Sequence, residues 1–170
     1  MKDILKWVVY GGIFTVPFIV LIVSNNMFFP YITGKNFAFR IIVEVAAAAW
    51  VLLALYDVRY RPRFSWVAGF GAILLATMLI SNILGEYPFK SFWSNFERME
   101  GYVTLAHFYV YFLMVGTMLT TEKLWNRFFN TTLMVAVVVS LHAFAQVSGA
   151  TAVSQGTTWR VDATLGNSTY

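Results

Sequence analysis

Five long apolar runs decide what this chain can fold into: Trp7 to Val23, Phe37 to Tyr56, Phe64 to Leu84, Tyr102 to Thr120 and Phe128 to Val147. Each is about 20 residues long, and at roughly 1.5 Å per residue an α-helix of that length crosses a hydrocarbon core of about 30 Å. No water reaches backbone amides in that core, so the segment must satisfy its own hydrogen bonds, as a helix does. The expected fold is therefore all-α: a polytopic transmembrane helix bundle of about five spans, forming a single integral-membrane domain over residues 1–170. Composition agrees. Hydrophobic residues reach 59% and charged residues only 12%, against about 45–50% and about 25% in soluble domains. The first run follows a short basic start, Met1 to Lys6, which is also how a signal peptide begins. It exceeds the usual h-region of about 7–15 residues and no A-x-A-like site follows, so it reads as a first span that doubles as an uncleaved signal. Short connections make sequential helices antiparallel neighbours.

Orientation is read from lysine and arginine. With the N-terminus cytoplasmic, the inner side carries Lys2, Lys6, Arg59, Arg61, Arg63, Lys123 and Arg127. The outer side carries Lys35, Arg40, Lys90, Arg98 and Arg160. The bias has the positive-inside sign, and the tight loop DVRYRPR, Asp57 to Arg63, weighs most because short loops obey the rule best. The net charge of +4 is spread between the spans and sets topology, which argues against a nucleic-acid partner. There is no cysteine and there are two histidines, so neither a disulfide framework nor a Cys- or His-rich metal cluster is expected.

Polar residues inside the runs are costly and point to function. Arg40 and Glu44 stand at i,i+4 near the start of the second run, which puts them on one helix face and predicts a structural ion pair. His107 lies in the fourth run, and His142 and Gln146 stand at i,i+4 in the fifth. With the N-terminus inside, all of these fall toward the outer face. So do the loop Gly85 to Gly101, which mixes five charges with Tyr87, Phe89, Phe92, Trp93 and Phe96, and the polar segment Ser148 to Tyr170. No G-x-S-x-G, H-E-x-x-H or P-loop is present. Two chemistries suit such a face: proton transfer by His or Glu, and binding of an anionic group by arginine, whose planar fork matches phosphate oxygens. A non-enzymatic reading also stands, in which the polar face lines the path of a transporter or flippase.

Three stretches carry a resemblance: GKNFAFRIIVEV (Gly34 to Val45), PFKSFWSNFERMEGYVTLAH (Pro88 to His107) and WRVDATLGNSTY (Trp159 to Tyr170). Their order and spacing resemble the bacterial O-antigen ligase and O-antigen polymerase-like membrane proteins. The resemblance implies a protein of about a dozen transmembrane helices in the bacterial inner membrane, of which this chain would be the N-terminal part. It implies transfer or polymerisation of glycans carried on undecaprenyl diphosphate, at the outer face and without metal or cofactor. In that family outer arginines bind the diphosphate, and Arg160 matches one that precedes a T-L-G-N-P-x-Y-like segment. Here Ser168 stands where proline is common. Glu97, Arg98 and Glu100 match the family's outer-loop block and are the other expected substrate-binding residues. The family's proposed base is a histidine in a large outer loop. Neither His107 nor His142 matches it, so the catalytic residues are left open.

Overall fold

A computed structural model describes residues 1–24, 27, 29–95, 100–152 and 161–166. Every regular element among them is helical: α1 Lys2–Thr15, α2 Thr33–Tyr56, α3 Trp66–Leu84, α4 Pro88–Trp93, α5 Tyr102–Met118 and α6 Glu122–Val147, with 3-10 turns at Val16–Leu21 and Val58–Tyr60. The first 3-10 turn starts where Pro17, which has no N–H and crowds the preceding turn, ends regular α-helix. Ser65 caps α3 by accepting from the Ala68 amide at 3.1 Å, and Thr121 caps α6 by accepting from Leu124 at 3.3 Å.

Four helical stretches are long and apolar enough to cross a membrane: Lys2–Leu21, Thr33–Tyr56, Trp66–Leu84 and Glu122–Val147. The chain is a helical membrane protein. The fifth expected span, α5, has 17 residues. At about 25 Å it sits at the short end of what spans a bilayer. In compensation α5 is packed rather than peripheral. It touches α1, α2, α3 and α4.

The core lies where α1, α2 and α5 meet. Val9 and Ile13 of α1 close on Val43, Ala46 and Leu53 of α2 and on Met114 and Met118 of α5. Two tyrosines place hydroxyls on backbone carbonyls across this seam: Tyr10 donates to Met118 O at 3.2 Å and Tyr111 to Ile13 O at 3.0 Å. Such pairing lets a phenol be buried at little cost. In lipid, helices associate through close packing rather than hydrophobic drive, so small residues at crossings matter most. Gly12 is a close point of the α1–α2 contact: a Cβ there would stand 2.6 Å from the Ala46 Cβ. At Gly11 a Cβ meets nothing within 4 Å. Gly12→Leu should therefore destabilise the bundle by about 1–3 kcal/mol, the usual cost of overpacking. Gly11→Leu should melt like the parent. Equal melting of the two variants in detergent would mean that α1 and α2 do not approach here.

The outer helices are held lightly. α3 buries none of its residues within the chain. It meets α5 through Tyr109, whose hydroxyl donates to Ala68 O at 2.7 Å and whose ring lies against Gly71. α6 packs on the 3-10 turn Val16–Leu21. The helices alternate in direction. At one end Lys2 lies 3.8 Å from Asp57, and at the other Lys35 Nζ donates to Thr164 O. Asp57 caps the loop turn by accepting from the Arg59 amide and guanidinium, and these bonds hold its carboxyl at about 2.

Candidate functional site

The α2 helix begins at Thr33, four residues ahead of the apolar run that announces it. Lys35, Arg40 and Glu44 thus all belong to one helix. Glu44 lies about 16 Å along it.

The Arg40 side chain is the centre of this end of the bundle. The residue is 6% exposed, and its Nη2 donates to Thr104 Oγ1 of α5 at 2.5 Å. Its guanidinium carbon stands 5.8 Å from the ring centroid of Trp93 at the end of α4, in cation–π range. The short α4 can reach Arg40 because its end is pressed onto the start of α5. The residue that permits this is Gly101, the α5 N-cap, where a Cβ would fall 2.2 Å from the Phe92 carbonyl oxygen. That neighbour is backbone and cannot swing aside.

The Glu44 carboxylate meets α5 instead of its own helix neighbour. Glu44 Oε1 lies 3.1 Å from His107 Nε2, and the other ring nitrogen, Nδ1, lies 2.7 Å from Val103 O. A carbonyl only accepts, so Nδ1 carries a hydrogen. The i,i+4 spacing does put Arg40 and Glu44 on one face. α5 crosses that face and offers a hydroxyl to one and an imidazole to the other, so each of the two also makes an interhelical contact. Glu44 also does not point into the bundle: its side chain is 64% exposed within the chain, against 17% for His107.

A second polar cluster pins residues 161–166 to the same end. Gln146 of α6 donates from Nε2 to Asp162 Oδ1 at 2.7 Å and accepts from the Ala163 amide at 2.7 Å. Tyr31 donates to Asp162 Oδ2 at 3.4 Å. Leu165 and Gly166 amides close a turn on Asp162 O at 2.9 and 3.1 Å. Gly166 has φ of +79° and packs its Cα on the Tyr31 ring. A side chain there would suffer both the left-handed backbone and the clash. The result is a carboxylate only 2% exposed, with accepted hydrogen bonds standing in for water.

The expected site residues divide accordingly. Glu97, Arg98 and Arg160 lie outside the described residues. Glu100 is exposed and borders a surface depression shared with Lys90, Ser91 and Tyr102. His142 lies apart from the Arg40 cluster, and its buried Nδ1 meets no hydrogen-bond partner among the described residues. Among those residues no group of His, Asp and Glu could hold a metal ion. Tyr31 and Asp162 were not legible as partners in the sequence. The only signal was an aspartate four residues before a glycine, D-A-T-L-G, which is a turn signature and no more.

The chain matches no family model, no curated protein and no solved structure. What the site can do thus rests on its own chemistry. One end of the bundle combines a buried guanidinium, a carboxylate–imidazole pair and a segment fastened by a buried aspartate. These groups suit an anionic ligand and proton transfer.

Proposed function

We propose that this chain is part of a membrane glycan transferase, similar to O-antigen ligases and polymerases, acting on undecaprenyl-diphosphate-linked glycans at the outer face of a bacterial inner membrane. One observation carries the reading. The three stretches that bear the resemblance are far apart in sequence, yet they share one end of the bundle. Arg40 joins the first to the second through Thr104 and Trp93, and Lys35 joins the first to the third through Thr164 O. A lipid carrier brings its diphosphate to the membrane surface at the depth of helix ends. On this reading Arg160 and Arg98 meet the diphosphate as planar donors. Glu97 and Glu100 face the sugar hydroxyls, which carboxylates accept from.

The test is genetic and chemical together. Deleting the gene from a bacterium that makes such a glycan should remove the glycan from its acceptor. The lipid-linked precursor should accumulate in the outer leaflet. Accumulation in the inner leaflet would instead favour a flippase, and unchanged glycan on the acceptor would reject the transferase. Sidedness is checked separately, since the chain has no cysteine of its own. Ser94→Cys should react with an impermeant thiol reagent in intact cells and Tyr60→Cys should not. Labelling of Tyr60→Cys alone would put the site on the wrong side of the membrane for this reaction.

A further inference from the structure

The opposite end of the bundle holds a cavity that the glycan reading does not use. It measures about 230 Å³ and lies between the Arg59–Ser65 loop with the start of α3 and the last turns of α5. Its walls are of two kinds. Arg59, Arg63, Ser65, Thr117 and Thr120 give charge and hydroxyls, while Phe64, Ala68, Phe112 and Leu113 give an apolar side. The helices part here because the α3–α5 contact rests on Tyr109, further along, and because α5 carries Gly116 at the cavity wall.

The two arginines are not equivalent. Arg59 is turned onto Asp57 by two side-chain bonds, at 3.2 and 2.9 Å, so much of its charge is already answered. Arg61 donates to Ala54 O and does not line the cavity. No acidic residue is among the groups that line it. Arg63 is therefore the cation that gives the cavity its sign.

We propose that this cavity binds the headgroup of an anionic phospholipid, with the phosphate at Arg63 and the acyl chains running along α3. A free phosphate would use the cation and the hydroxyls but would gain nothing from Phe64, Phe112 and Leu113. A zwitterionic lipid would use the apolar wall but would bring its own cation to Arg63. An anionic lipid uses both walls. Basic pockets between transmembrane helices at the loop level are suited to such headgroups. The lipid would also cover α3, which the chain itself leaves bare.

Native mass spectrometry of the purified full chain in detergent, titrated with phosphatidylglycerol, phosphatidylcholine or inorganic phosphate, tests this. The parent should retain one phosphatidylglycerol more than phosphatidylcholine, and inorganic phosphate alone should give no adduct. Arg63→Ala should weaken that site about fivefold, the usual contribution of one basic residue near an anionic lipid. Arg63→Lys should largely restore it. Gly116→Leu is the second arm: a Cβ at Gly116 meets nothing within 4 Å, so leucine can enter the cavity that this residue lines. It should lose the extra lipid while melting like the parent. Equal retention of the two lipids, unchanged retention in Gly116→Leu, or an adduct with inorganic phosphate alone would each overturn the proposal.

Discussion

On the transferase proposal, Arg160→Ala is expected to lower glycan transfer by about 10²–10³, the loss typical of one preorganised donor to a developing negative charge. The amount and melting of the protein should not change. The reason for both parts is the arrangement around Asp162. The segment is fastened downstream of Arg160, by Gln146 on Asp162 and Ala163, by Tyr31 on Asp162 and by Lys35 on Thr164 O. None of those bonds uses the Arg160 side chain. Arg160→Lys keeps the charge and loses the bidentate fork, so its transfer should fall between parent and alanine. The readout is release of undecaprenyl diphosphate together with glycan on the acceptor. Normal transfer by a well-expressed Arg160→Ala protein would remove Arg160 from the site and leave the anchored segment a structural one.

Arg40→Ala should strongly destabilise this end of the bundle. The guanidinium is buried and joins three helices, bonding Thr104 on α5 and lying on the Trp93 ring of α4. Truncation removes the bond to Thr104, exposes the face of Trp93 and removes an alkyl stem from packing, a cost of about 3 kcal/mol. Arg40→Lys retains charge and stem but reaches Thr104 with a single ammonium, so it should recover part of the loss. Glu44→Gln should be much milder, within about 1 kcal/mol of the parent. His107 Nδ1 is committed to Val103 O, so neutral imidazole leaves Nε2 free to accept from the new amide. Melting of purified variants in detergent separates the cases. Equal melting of Arg40→Ala and Glu44→Gln would show that Arg40 does not join the helices.

The resemblance stretches and the glycines inside them have a physical basis in the fold. Gly101 stands where α4 touches α5 backbone to backbone, and Gly166 stands where the chain turns left-handed against Tyr31. A short loop sequence such as S-F-W-S-N-F-E-R-M-E-G thus encodes a backbone contact at its last residue.

Hydropathy alone determined the helical membrane fold and the approximate bounds of its spans, because a 20-residue apolar run has no other stable form in lipid. It also placed the polar residues toward one end, since alternating spans put every odd connection on the same side. Tertiary structure decided the partners. Periodicity puts Arg40 and Glu44 on one face, but only the crossing of α5 assigns Thr104 to one and His107 to the other. Hydropathy treats α5 as one span among five, whereas packing makes its 17 residues the centre on which α1, α2, α3 and α4 converge. The buried Asp162 shows the limit most plainly. Its partners lie 16 residues away on α6 and 131 residues away at Tyr31. A one-dimensional pattern carries periodicity and local turn chemistry, and contacts at such separations are fixed only when the helices pack.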